Sequence, residues 1–181
     1  MVSEQEIQEL VSKAKQADES AFGQLYDIFS QQVFNFLLGK LAHKQTAEDL
    51  VQTVFLKAWT NLQKYQQRPS AKFSTWLFQI ANFTLIDHWR AKKPIVEINE
   101  IENLAQFAIN QPLYEEYDYL WKAMVKLPDT YQTVLDLRFK QDLSVSETAE
   151  IMKKSQVSIR VLQYRALRLL RETLEPKKFK I

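Results

Sequence analysis

Leu143-Ser144-Val145-Ser146-Glu147-Thr148-Ala149-Glu150-Ile151-Met152-Lys153-Lys154-Ser155-Gln156-Val157-Ser158-Ile159-Arg160-Val161-Leu162-Gln163-Tyr164-Arg165 decides the fold. It spells two helices joined by a tight turn. Ser144 followed three residues on by Glu147 is a capping box, which gives the first helix a defined start. Ala149 is small where a second helix has to cross closely. Ser155 is placed to N-cap that second helix, and Ile159, Leu162, Ala166 and Leu169 recur on one of its faces at helical spacing. The opposite face carries Arg160, Tyr164, Arg168 and Arg171. This is the layout of a helix-turn-helix whose second helix enters a DNA major groove. An amphipathic hairpin with a solvated basic face is the alternative for this segment taken alone.

The rest of the chain fits an all-α protein. It has 181 residues with two Gly and five Pro, and its abundant Leu, Gln, Glu, Lys and Ala favour helices over turn-rich β structure. Net charge is only +2, but the charges are segregated. From Ile95 to Trp121 every charged residue is acidic: Glu97, Glu100, Glu102, Glu115, Glu116 and Asp118. From Lys153 onward nine Lys or Arg face Glu172 and Glu175, a balance suited to a polyanion. Cysteine is absent, which excludes disulfides, a thiol nucleophile and cysteine-ligated metal. Met1 to Asp18 is polar and mixed in charge, unlike a secretory signal. No apolar run approaches the roughly 18–20 residues that span a bilayer. The densest, Val33 to Leu41, is broken by Asn35, Gly39 and Lys40, so a soluble chain without membrane insertion is expected.

Three segments follow. An N-terminal domain, residues 1–93, repeats Phe22, Leu25, Tyr26 and Phe29 and then Val33, Phe36, Leu37 and Leu41 at helical spacing. A turn around Ala42–Gln45 leads to a helix with Thr46 as its expected cap, and Leu50, Val54 and Ala58 on its inner side. Pro69 stops any helix in Gln63–Lys72, and another helix runs from Phe73 toward Arg90. Residues 94–113 form an acidic linker. The C-terminal domain, residues 114–181, starts with a helix around Tyr114–Lys126, continues with a helix begun by Leu127-Pro128-Asp129, and ends in the helix-turn-helix.

Three motifs now stand in order: Ala47-Glu48-Asp49-Leu50-Val51-Gln52-Thr53-Val54-Phe55 leading to Trp59, Phe73-Ser74-Thr75-Trp76 leading to Arg90, and Leu127-Pro128 ahead of the helix-turn-helix. Together they resemble the bacterial extracytoplasmic-function (ECF) RNA polymerase sigma factors, over roughly Ala21 to Thr173. The resemblance implies a factor that binds core RNA polymerase and directs promoter-specific transcription initiation in the cytoplasm. It implies docking of the Ala47–Leu62 helix on a coiled coil of the largest catalytic polymerase subunit, with Asp49, Gln52 and Thr53 at the contact. It assigns Tyr65, Gln66, Arg68, Lys72, Asn82, Asp87 and Arg90 to the melted −10 element, where polar groups beside an aromatic wall suit an unstacked base. Phe73 and Trp76 read as core instead. It assigns Ser155, Gln156, Ser158, Arg160, Tyr164, Arg165 and Arg168 to the duplex −35 element, where Arg can read guanine and Gln adenine. An anti-sigma factor is a further implied partner.

The chain departs from the family pattern at three positions. Lys153 stands where a turn Gly is usual, and a non-Gly residue there at positive φ costs about 1 kcal/mol. Thr53 replaces an acidic residue, and Phe83 stands where a polar Asn is common.

An enzyme is not expected, nor a cofactor. His43 and His88 lie far apart, and no His-Glu-x-x-His, phosphate loop or Gly-x-Ser-x-Gly occurs. Glu48–Asp49 and Glu115–Glu116 are adjacent pairs that point about 100° apart on a helix and read as solvated charges. A stand-alone helix-turn-helix regulator that binds duplex DNA without polymerase is the alternative function. A helical adaptor that binds only protein is a weaker one.

Overall fold

A computed structural model describes residues 2–41, 43–68, 72–91 and 118–174. The expected acidic linker, the first turn of the 114–126 helix and the C-terminal tail therefore lie outside the described residues. Those described form an all-α fold of two helical units. The first contains α1 Glu4–Lys15, α2 Glu19–Leu38, α3 Lys44–Asn61 with a 3-10 turn at Leu62–Lys64, and α4 Phe73–Ala91. The second contains α5 Asp118–Val125, α6 Asp129–Leu135, α7 Val145–Met152 and α8 Gln156–Leu174. A single π turn, Asp136–Lys140, extends α6.

Local chemistry sets the helix ends. Ser3 and Glu6 form a capping box at α1, the Glu6 carboxylate accepting from the Ser3 N–H at 2.7 Å. Asp18 caps α2 by accepting from the Ala21 N–H at 3.0 Å, and the helix stops at Gly39. Thr46 is not a cap: α3 begins at Lys44, and its N-cap His43 makes no side-chain capping bond.

The core of the first unit is built by the inward stripes of α2, α3 and α4. Leu25, Val33, Phe36, Val54, Ala58, Phe73, Leu77, Phe78 and Leu85 are buried in it. Phe36 meets Phe78 edge-on at 5.5 Å between ring centroids. Burying each such Leu or Phe is worth roughly 1.5–3 kcal/mol. The second unit packs Leu127, Val134, Leu135, Ala149, Ile159 and Ala166 together, with Leu162 and Leu169 beside them. The expected inward face of α8 is thus the observed one. Pro128 starts α6, as its fixed φ allows.

The two units do not sit apart. Leu137, Leu143 and Ile151 of the second unit are buried with the first unit's core, and Met152 touches both clusters. α7 lies along α4. The turn after α7 is left-handed: Lys153 has φ 50° and ψ 48°. The Lys154 N–H reaches back to the Ala149 carbonyl at 3.0 Å, which satisfies an end carbonyl of α7 in the Schellman manner.

Candidate nucleic-acid interface

α8 presents its outward face to solvent. Ser155 caps it, its hydroxyl accepting from the Ser158 N–H at 3.1 Å and lying 2.8 Å from the Ser158 hydroxyl. Gln156 donates to the Ser146 hydroxyl at 3.4 Å, tying the start of α8 to α7. Ser155, Gln156, Ser158, Arg160, Tyr164, Arg165 and Arg168 are all exposed. Arg168 meets Glu172 at 3.4 Å, a surface pair one turn apart. Two residues absent from the sequence-derived set stand at the centre of this face: Val157 is 66% exposed and Val161 42%. Their signal was available, because both lie opposite Ile159 at helical spacing.

Around Tyr65 the expectation needs correction. Its side chain is buried against Phe73 and Trp76, at 5.6 and 5.1 Å between ring centroids, and burial pushes its phenol above the ordinary range. It is a wedge in the core, not an exposed base platform. Asn82 is buried too, on the stripe that begins with Thr75 and Gln79. Gln66, Arg68, Lys72 and Arg90 remain exposed, and Asp87 pairs with Lys57 at 3.6 Å. Phe73 is fully buried and Trp76 half-buried against the same core, as expected.

On α3, Asp49 and Gln52 are exposed. Thr53 is half-buried, and its hydroxyl donates back to the Asp49 carbonyl at 3.0 Å. Leu56, two turns after Asp49 on the same stripe, is 64% exposed. Beside this face a groove of about 440 Å³ runs between α2 and α3, lined by Tyr26, Phe34, Glu48 and Gln52 among others.

Polar contacts join α7 to α4. The Thr75 hydroxyl donates to Glu147 at 2.9 Å, and Gln79 donates to the Glu150 carbonyl at 3.2 Å. Arg68 lies 3.8 Å from the Glu150 carboxylate, and the Lys153 ammonium stands 4.2 Å from the Phe83 ring centroid. Beneath them Lys40 and Asp136 form a buried pair at 3.6 Å, with Lys40 also over the Phe36 ring. Burial lowers the Lys40 pKa, and Asp136 opposes that shift. Burial alone would raise the Glu147 pKa; the Ser144 N–H, the Ser144 hydroxyl and Thr75 outweigh it and hold the carboxyl below its usual value.

Residues 25–95 match Sigma-70 region 2, and residues 123–172 match Sigma-70 region 4. The ECF RNA polymerase sigma factor SigM of Bacillus subtilis is 32% identical over 152 residues, covering 82% of this chain and 91% of SigM. The chain belongs to the ECF RNA polymerase sigma factors.

The ECF sigma factor BldN of Streptomyces coelicolor is 33% identical over 174 residues, 92% of this chain. This sigma factor spans 65% of BldN's length. Its fold is shared by RpoE of Bartonella quintana, solved in complex with the anti-sigma factor NepR (TM-score 0.69, 21% identity, 87% of this chain and 98% of that one). As a sigma factor it binds core RNA polymerase and directs promoter-specific initiation. The region 2 match takes in most of α2 with α3 and α4, and the region 4 match takes in α6, α7 and nearly all of α8. Among the described residues, no helix is long and apolar enough to cross a membrane.

Proposed function

We propose that the division of labour within this sigma factor follows its exposed faces. Asp49, Gln52 and Leu56 on α3 dock on core polymerase, with Thr53 supporting Asp49 through its bond to the backbone. Gln66, Arg68, Lys72 and Arg90 meet the melted −10 strand, Asp87 orienting Lys57 beside them. The outward face of α8 reads the −35 duplex: Arg160 and Arg165 reach base edges or phosphates, Gln156 and the Ser155–Ser158 pair hold the start of the helix at the groove, and Arg168 adds a phosphate contact. The protein works in the cytoplasm and directs the polymerase's chemistry without catalysing a step of its own. An anti-sigma factor is its regulatory partner, in the manner of RpoE with NepR.

The observation that carries this reading is the basic, unburied face of α8, directly opposite the Ile159–Ala166 seam that anchors it. A polymerase capture experiment tests the docking part. Wild type is expected to retain core polymerase, and Asp49→Arg to lose most of it. Retention by neither protein would sink the assignment. Footprinting of the reconstituted holoenzyme tests the rest, because Arg160→Ala should erase upstream protection and leave polymerase capture intact.

A further inference from the structure

We infer that Val157 and Val161 read thymine C5-methyl groups in the upstream promoter duplex. The inference rests on the assignment of α8 to duplex reading and goes further, by naming the apolar part of the code.

Among the described residues, neither valine belongs to a buried cluster. Both are exposed, and both lie outside the cluster formed by Ile159, Ala166 and their neighbours. Helix stability does not call for them either. β-branched residues lose side-chain freedom in a helix, and Ala, Lys or Arg would serve better at a solvated position. Tyr164, 68% exposed, and Arg168 continue the same stripe, with Arg160 and Arg165 on its two sides. An apolar strip between cations matches the floor and walls of a major groove, where phosphates flank base edges. Glu172 is the one acidic side chain described on α8, and it is engaged by Arg168. That charge pattern favours a polyanion over a neutral or basic protein helix as the occupant.

In the major groove thymine alone among the four bases presents a methyl group. Valine is short, and its two methyls branch at the carbon next to the backbone. It therefore makes contact only where the helix itself sits deep in the groove, as the capped N-terminal turns of a reading helix do. Val157 and Val161 are four residues apart, which is about 6 Å along α8. Base pairs stack about 3.4 Å apart. A reading helix lies inclined to the duplex axis, and residues one turn apart can face successive bases, so the two methyls should lie one to two base-pair steps apart.

Uracil tests this directly, since it keeps every hydrogen-bonding group of thymine and lacks only the methyl. Holoenzyme reconstituted from core polymerase and the full chain selects upstream duplexes from a randomised library. Each thymine of the selected element is then replaced singly by uracil. Two replacements, one to two steps apart, are expected to weaken binding about fourfold each. Val157→Ala should abolish the thymine preference at one of them and Val161→Ala at the other, with uracil duplexes bound as before. Equal affinity for thymine and uracil at every position of a selected element would overturn the inference and leave the valines to a protein partner. Selection of no upstream element, or an element indifferent to Arg160→Ala, would show that the duplex-reading assignment had failed first.

Discussion

Lys153 and Phe83 meet across the two units, the ammonium 4.2 Å from the ring centroid. They are two of the three positions at which the sequence departs from the family pattern, and they are partners. A lysine in the left-handed turn costs about 1–2 kcal/mol relative to glycine. An exposed cation–π contact returns about 0.5–1 kcal/mol. The departure at one position is therefore partly offset by the departure at the other. The glycine usual in this turn would relax it and leave Phe83 without its cation.

Substitutions at Lys153 should separate these effects. Lys153→Gly is expected to unfold at a temperature equal to or above wild type. Lys153→Ala keeps the strain, loses the contact and should unfold lower. A double-mutant cycle with Phe83→Ala should give a coupling of about 0.5–1 kcal/mol. Zero coupling in chemical denaturation would dissolve the pair.

Glu147 links helix capping to the packing of α7 on α4. Its carboxyl is held below the usual value, so its contribution is present above the unfolded value of 4.5 and lost as pH falls through the lower, folded value. Energy transfer between dyes on α2 and α8 should report separation of the units in that acid range. Glu147→Gln should remove this pH step. Thr75→Val, which deletes the one bond to α4, should shift the step and cost about 1 kcal/mol.

The buried Lys40–Asp136 pair should respond asymmetrically. Removing only Lys40, as in Lys40→Ala, leaves Lys140 as the remaining ion-pair partner of Asp136 among the described residues and should cost up to about 3–5 kcal/mol in urea unfolding. Replacing both, as in Lys40→Met with Asp136→Leu, should be neutral or stabilising by about 1–4 kcal/mol. Because the folded pKa of Lys40 is lowered, the unfolded chain binds the proton more tightly. Native stability from this group should rise with pH between the folded value and 10.5. A double variant as unstable as the single one would show that the pair itself, and not the stranded carboxylate, carries the stability.

Leu56 offers a test of docking that leaves the core alone. Leu56→Ser removes an exposed side chain and should change stability by less than about 0.5 kcal/mol. Polymerase affinity, measured by competition against wild type, should fall several-fold. Undiminished competition would confine docking to the polar residues of α3.

Much of this architecture is written in short-range chemistry. Ser144 with Glu147, Ser155, and the Ile159–Ala166 spacing specify the helix-turn-helix within one stretch of chain, and the structure agrees at each. Ser3 with Glu6 is the same capping pattern and announces α1 just as plainly. Tyr65 misleads because an aromatic in a polar loop looks available, while its burial depends on Phe73 and Trp76 arriving from another helix. Asn82 misleads for a related reason: α7 packs along its stripe, and nothing near residue 82 announces that neighbour. The Lys40–Asp136 pair joins residues far apart in sequence and follows no periodicity, so no local pattern could reveal it. Val157 and Val161 were legible as apolar residues on the wrong side of a helix, and were obscured by the arginines around them.

Arg68, proposed to meet the melted −10 strand, has Glu150 as a surface ion-pair neighbour. With the Glu150 carboxylate at 3.8 Å, the site brings a negative charge to the strand together with its positive one. A phosphate that takes Arg68 meets that carboxylate too, and the pair's smaller net charge displaces fewer of the cations condensed on the strand than an isolated arginine would. A contact of this kind adds less than the usual salt slope of about 0.7 per phosphate for single strands. Promoter capture by this chain should therefore weaken less steeply with salt than its exposed cations suggest, and Glu150→Gln should restore the steeper slope.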